Sequence, residues 1–471
     1  MNFLERQFQL SARGTTVGTE LAAGVTTFLT MCYIIFVQPA MLSGKMFGID
    51  TGMDFAGVMA ATCIASAIAS VVMAFMANYP VALAPGMGIN AYFVLALLPA
   101  IAATGHEHPW QVALGVVLLS GLLFLVLTLL GVREKIFDAL SPSLKSAIAV
   151  GIGLFIALIG LKNGEVILAN PATFIAMNHV VYDPDVIVFF VGLVVGGAFF
   201  ARHIRGAVLA GIVASLFAAV ILQIILPKFE NWASQPVVAQ SQLMTKLHWT
   251  GDWMAPPPSL APTFFKFDLL GVFDLRILPF VVVFLFIDMF DTIGTLIGVT
   301  QQAGLVKNGK LPNVGRAMTA DATGTICGAC LGTSTVTSYV ESAAGVEAGG
   351  RTGLTAIFTA CCFLAALFFA PLVEVVGSYP PITASALVLV GAMMVRNITE
   401  VEWQTPGEAI PAFLLMIAIP FTFSIGDGIA LGLVAYVAIN LLAGRKQAVN
   451  LTLGILAVLI LAYFVFVRAS V

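Results

Sequence analysis

Apolar stretches about twenty residues long recur along almost the whole chain. Wound as a helix, a stretch of that length matches the hydrocarbon thickness of a bilayer. They fall near 20–42, 55–78, 82–103, 110–131, 143–161, 185–201 and 206–226. A more polar segment, 227–275, follows, with the turn-rich Pro256-Pro257-Pro258. Spans resume near 277–300, 315–331, 333–346, 352–375, 382–395, 407–423 and 426–443, and one more apolar run, 450–467, closes the chain. With 60% of 471 residues hydrophobic and only 10% charged, the chain cannot cover its own apolar surface in water. The expected fold class is therefore an all-α polytopic membrane protein, with the lipid bilayer as its solvent. A net charge of −3 carries no nucleic-acid signal.

Seven spans, a loop and seven more spans predict an internal repeat. An odd repeat unit forces its second copy to be inverted in the membrane. Orientation follows from Lys and Arg in short loops. With the N-terminus cytoplasmic, fourteen of the 21 Lys and Arg fall inside, Arg6, Arg13, Lys145 and Arg351 among them. Seven, including Lys45, Lys162 and Lys246, fall outside. The bias fits an even number of spans up to 443 and leaves open whether 450–467 crosses. Nothing near the start has the short apolar core of a cleavable signal peptide.

Two spans in matching places of the two halves look broken. The third reads Pro80-Val-Ala-Leu-Ala-Pro85-Gly86-Met-Gly88-Ile-Asn90. The tenth reads Gly332-Thr-Ser-Thr-Val-Thr-Ser-Tyr-Val-Glu341-Ser-Ala-Ala-Gly345. Thr333 to Val340 is rich in β-branched and hydroxyl residues, a poor helix and a good short strand. Pro85-Gly86 disfavours helix and permits a turn. Non-helical backbone survives at membrane depth only in protein or beside a watery cavity. The expectation is a short antiparallel strand pair, one strand from each span. A half-helix would begin after each strand, near Gly86 and Tyr339, its N–H groups aimed at a central site. Two Gly-kinked helices without a site are the alternative.

Acids inside apolar spans are costly and mark function by default. Asp288 and Asp291 lie in Phe284-Leu-Phe-Ile-Asp288-Met-Phe-Asp291-Thr-Ile-Gly294-Thr295, with i, i+3 spacing on one helix face. Two carboxylates so close and away from bulk water are not both comfortably ionised, which suits a group that gains and loses a proton. Glu341 opens the second half-helix, and Asn90 is the polar member of the first. The bland readings are an acid pair satisfied by hydroxyls, a helix-terminal Glu and a packing Asn. Asp321 reads as a satisfied structural acid, Glu347/Arg351 as a structural ion pair or gate element, and Glu20 and Glu374 as interfacial.

Cys327-x-x-Cys330 has a redox spacing but lies in a small-residue span without a second pair, so packing is the better reading. None of the five histidines has ligand spacing on a helix, so neither a metal nor a cofactor is expected. Carboxylates, an amide and aromatic walls suit a planar heterocycle bearing N–H donors. Phe28, Tyr92, Phe93 or Phe284 could stack on it. Without a mid-membrane Lys or Arg, an anion is disfavoured.

At these residues the chain resembles the AzgA-like purine permeases of the nucleobase/ascorbate transporter superfamily. The likeness runs through Glu20-Leu-Ala-Ala-Gly-Val-Thr-Thr-Phe-Leu-Thr-Met31, Pro80 to Phe93, Asp288 to Val299, Gly332 to Gly345 and Gly350-Arg-Thr-Gly-Leu-Thr-Ala356. It implies fourteen spans in two inverted seven-span repeats, the uracil-permease-like fold, with proton-coupled uptake of adenine, guanine or hypoxanthine. Implied substrate-binding residues are Asn90, Asp288 and Glu341, with Gly88 and Thr337 beside them on the broken spans. Proton coupling would fall to Asp288, Asp291 and Glu341. The resemblance also implies a core domain of spans 1–4 and 8–11 and a gate domain of spans 5–7 and 12–14. In residues, 1–19 is the cytoplasmic N-terminus, 20–131 core, 143–226 gate, 227–275 an extracytoplasmic loop, 276–375 core, 382–443 gate and 450–467 a tail segment. A multi-pass protein of the cell membrane is expected, with purine and proton as partners and a homodimer left open. The rivals are an anion transporter or channel on the same fold and, remotely, an intramembrane aspartyl protease. The protease would want Gly-x-Gly-Asp, and Ser424-Ile-Gly-Asp427 lacks the first Gly.

Overall fold

The computed structural model describes residues 3–462 apart from 131–139, 172, 179, 181, 203, 205, 230–234, 248–252, 306–312 and 423–424. Arg133, Lys135, Arg205, Lys307, Lys310 and Arg468 of the orientation argument lie outside the described residues. So do His179, His203, His248, Ser424 of the protease comparison and residues 463–467 of the tail run.

Local chemistry sets where the helices begin. Asp54 caps span 2 (Phe55–Met76), accepting the Gly57 N–H at 2.6 Å. Ser141 caps span 5 (Pro142–Asn163), and Thr352 caps the first helix of span 11 (Gly353–Ala366). Proline opens spans 4 (Pro109–Leu129), 5, 6 (Pro184–Ala201), 12 (Pro380–Val395) and 13 (Pro406–Thr422), where its missing N–H costs nothing. Spans 7 (Ala207–Ile225), 8 (Leu278–Gln302), 9 (Val314–Leu331) and 14 (Ile425–Leu442) complete the continuous helices. Eight helices among the described residues are long and apolar enough to cross a membrane.

The all-α polytopic fold and its seven-plus-seven order are as expected. Among the described residues four short strands accompany the helices: β1 (Leu83–Pro85), β2 (Ile167–Asn170), β3 (Phe174–Met177) and β4 (Val336–Ser338). β1 and β4 pair antiparallel, with Leu83 opposite Ser338 and Pro85 opposite Val336. This joins spans 3 and 10, as the β-branched run predicts. Helix resumes at Met87 and Ser342, with Gly86 and Glu341 at the caps. A two-stranded ribbon leaves outer edges that cannot stay unpaired in a membrane interior. Here side chains satisfy them. Ser70 of span 2 accepts the Leu83 N–H at 2.9 Å, Asp321 of span 9 accepts the Ser338 N–H at 3.0 Å, and Thr325 donates to the Val336 carbonyl at 3.1 Å.

Three features depart from the sequence reading. Span 1 is not one helix: Val17–Met31 and Ile34–Leu42 meet at a break over Cys32-Tyr33. β2 and β3 form a hairpin between spans 5 and 6. The segment 227–275 contains short helices, Pro236–Ala239 and Gln242–Lys246.

Small residues let helix backbones meet. A Cβ on Gly391 of span 12 would lie 2.5 Å from the Gly153 carbonyl of span 5, and one on Gly353 would lie 2.5 Å from the Ala74 carbonyl of span 2. The packing falls into two groups. Spans 1, 2, 4, 9 and 11 pack on one another, and span 12 packs on 5, 6 and 7 while 13 packs on 5 and 14. Span 8 touches both, and the tail helix Leu451–Ala462 lies on span 14. Of the long apolar helices span 2 is the most enclosed and span 7 the least, so the ribbon beside span 2 sits deep in the molecule.

Candidate functional site

The breaks in spans 1, 3 and 10 converge. Glu341 is 4% exposed, and the Tyr33 hydroxyl, from the break in span 1, donates to its Oε1 at 2.6 Å. The Tyr339 hydroxyl crosses the ribbon to the Pro85 carbonyl at 2.5 Å. Asp291 of span 8 comes to the same place from the other side. Its Oδ2 lies 3.5 Å from where a Cβ on Gly86 would stand, and it is within electrostatic reach of Glu341. Gly86 lacks that Cβ, and an added one would also press on Thr337 Cγ2 at 2.9 Å. The result is a compact polar spot where two carboxylates and two tyrosines surround the starts of two half-helices.

Of the remaining expected residues, Thr337 touches that spot with its methyl, while Asp288 and Asn90 turn to other partners. Asp288 is fully buried and receives the Thr325 hydroxyl at 3.2 Å, so it leans toward span 9 although it shares a helix face with Asp291. Thr337, in β4, exchanges a hydrogen bond with Thr292 at 2.8 Å, and Thr292 in turn donates to Asp321 at 2.7 Å. Gly88 is buried in the first turns of the span 3 helix. Asn90 is fully buried in a network of its own: its amide pairs with Gln38 of span 1, and the Ser334 hydroxyl donates to its oxygen. Gln38 also donates to Thr333 at 2.9 Å and Ser334 at 3.0 Å. The structure thus brings Asp291, Glu341 and Gly86 together and sets Asn90 and Asp288 in the surrounding wall.

The ring candidates divide as well. Tyr92 packs on Phe284 (5.6 Å between centroids) and Phe280 (5.9 Å), and Phe93 on Phe284 (6.5 Å), walling the spot between spans 3 and 8. Phe28 packs on Phe363 of span 11. Asp321, with Thr292 and Ser338 as donors, is the structural acid the sequence suggested. Glu20, read as interfacial, is enclosed by protein. It is fully buried and accepts the N–H groups of Arg351, Thr352 and Thr355, capping span 11. Arg351 spends its guanidinium on the Val346 and Gly350 carbonyls, and exposed Glu374 pairs with Lys45 at 3.6 Å. Tyr33 and Gln38 were missed, though each is a polar side chain inside an apolar span, the same signal that flagged the acids.

Buried protonatable groups at a pair of interrupted helices, inside a seven-plus-seven bundle, define the class: a multi-pass membrane transport protein. A family model described as "Permease family" matches residues 18–431. The chain belongs to this permease family, whose members are transporters and not enzymes. It is 43% identical to the protein MJ0326 of Methanocaldococcus jannaschii over 99% of both chains. It is 39% identical to the guanine/hypoxanthine permease PbuG of Bacillus subtilis, covering 98% of this chain and 99% of that one. It is 37% identical to the adenine permease AdeP of Escherichia coli, covering 99% and 97%. The resemblance read from the motifs is therefore borne out. Among solved structures, the fold is similar to the transmembrane domain of the cyanobacterial bicarbonate transporter BicA, with a TM-score of 0.58 at 16% identity over 88% of this chain and 96% of that one. It is also similar to SLC26A9, with a TM-score of 0.60 at 11% identity over 94% and 67%.

Proposed function

We propose that this permease takes up purine nucleobases (adenine, guanine or hypoxanthine) across the cytoplasmic membrane together with a proton, by alternating access. One observation carries the reading: Glu341, held by Tyr33, and Asp291, set against Gly86, face the starts of two half-helices at the centre of the bundle. A carboxylate there can accept neighbouring N–H groups of a purine edge, and the half-helix N–H groups can meet ring acceptors. Protonation of Asp288, Asp291 or Glu341 removes a buried charge and lets the loaded site reorient. In this reading Asn90, Gly88 and Thr337 shape the pocket wall. Spans 1–4 and 8–11 form the core that moves against a gate of spans 5–7 and 12–14, with the N-terminus inside. The two packing groups support that division.

The anion-transporter alternative draws on the fold shared with BicA. Buried carboxylates repel an anion, which favours the nucleobase. The near-equal likeness to PbuG and AdeP favours neither the 6-oxopurines nor adenine. The test is uptake of labelled hypoxanthine, with adenine, guanine, uracil and xanthine as competitors and with a protonophore present or absent. Purines should compete, uracil should not, and the protonophore should stop accumulation. Uptake that ignores the protonophore would remove proton coupling, and wild-type rates in Glu341→Gln and Asp288→Asn would remove the site.

A further inference from the structure

A half-open cavity lies away from the acids. It is a cavity of about 210 Å³ between the turn after span 1 (Met46, Phe47), the end of span 5 (Asn163, Glu165) and the loop helix Gln242–Lys246. The span 1 helix Ile34–Leu42 separates Tyr33 from Met46, about 15–20 Å of chain at helical rise. The cavity is thus not part of the inner site.

Three observations mark it as built. Asn163 is 7% exposed, and its buried Nδ2 has no hydrogen-bond partner. A buried N–H without an acceptor is costly, and a turn of the Asn163 amide on the cavity wall would offer it a ligand acceptor. Glu165 adopts the left-handed conformation at φ 55°, uncommon outside glycine, on the wall of the same cavity. Its Oε1 accepts from Gln242 Nε2 at 2.5 Å, and Gln242 Oε1 accepts from Lys246 at 2.9 Å. The loop-helix wall is also fixed. Asp185 of span 6 accepts the Gln242 and Leu243 N–H groups at 2.7 and 2.9 Å and the Tyr379 hydroxyl at 2.6 Å.

Gly48 and Lys246 border both this cavity and a wider cleft of about 450 Å³ that also touches Lys45 and Ser378. That cleft lies between elements of the two packing groups, on the face that the Lys and Arg distribution predicts to be outside. A volume of 210 Å³ is below that of pockets for drug-sized molecules and suits one fused bicyclic ring. Lys246 is tied to Gln242, and Glu165 supplies an opposing charge, so the lining offers donors, an acceptor and apolar walls rather than a cationic nest.

We propose that this cavity is an outer subsite that holds a purine nucleobase before it reaches the inner acids. The amide of Asn163, turned toward the cavity, donates to a ring nitrogen or carbonyl, Glu165 accepts a ring N–H, and Phe47 and Pro380 supply apolar contact. The proposal rests on the nucleobase reading above. It adds a second station with its own residues.

Leu168→Cys places a thiol on the cavity wall at a 40%-exposed position. Intact cells carrying it are treated with a membrane-impermeant maleimide, with and without hypoxanthine, against a wild-type background. Hypoxanthine should slow labelling at least threefold. It should do so equally with Glu341→Gln added, where the inner site is lost. Asn163→Leu and Asn163→Ala should keep the labelling and lose the protection. No labelling from outside, no protection, protection lost with Glu341→Gln, protection unaffected by both Asn163 variants, or equal protection by inorganic phosphate would each overturn the proposal. Wild-type uptake by Glu341→Gln would instead sink the inner site alone.

Discussion

Glu341 and Tyr33 are 308 positions apart in the chain and 2.6 Å apart in the fold. The tyrosine hydroxyl occupies one carboxylate oxygen, and in the proposed reading the other takes the ligand. Glu341→Gln removes the strong acceptor and should lower hypoxanthine uptake at least tenfold at unchanged membrane abundance. Tyr33→Phe keeps the ring and loses only the hydroxyl. It should raise KM roughly threefold to tenfold, about 0.7–1.4 kcal/mol, with Vmax nearly kept. An equal fall in Vmax would mean that Tyr33 supports the fold instead. Asp321 works differently, because its partners are the Ser338 N–H and the Thr292 hydroxyl rather than a site. Asp321→Ala strands those donors, at about 1–3 kcal/mol each, and should lower the thermal unfolding midpoint of the purified protein with bound or absent ligand alike. Hydropathy finds such acids because a charge in an apolar span stands out. It does not show which of Asp288 and Asp291 faces the half-helices, since both share one helix face and only the neighbours differ.

The β1–β4 ribbon is the element on which the site is built, and it was legible. A β-branched run after Gly332 and a Pro-Gly in the matching span leave few other conformations. The break at Cys32-Tyr33 was not legible, for no proline or glycine marks it. The β2–β3 hairpin was overlooked, although Asn170-Pro171 between two short apolar runs is a turn signal. Helix contacts in this protein rest on missing side chains. Gly353→Ala would drive a Cβ into the Ala74 carbonyl and force spans 2 and 11 apart. A destabilisation of about 1–3 kcal/mol is expected, read as a lower thermal midpoint. Gly197→Ala, with nothing within 4 Å of the added atom, is the control and should leave the midpoint unchanged.

At the scale of the whole molecule, the proposed mechanism requires the two packing groups to move against each other. Ser378 follows span 11 and Lys246 belongs to the loop helix, and both border the outer cleft. Joining Ser378→Cys to Lys246→Cys with a short bis-maleimide should stop uptake, while labelling either single variant should not. Continued transport by the tethered protein would argue against motion along that seam. The sequence by itself determined the solvent, the order of spans up to 443, the two interrupted helices and the presence of buried acids. Each of these follows from composition and periodicity within a window of about twenty residues. Only the tertiary structure decided that Asn90 pairs with Gln38, that Tyr33 holds Glu341 and that Glu20 caps span 11. In a membrane interior every buried polar group must find a partner, and those partners come from distant spans whose rotation about their axes no local pattern encodes.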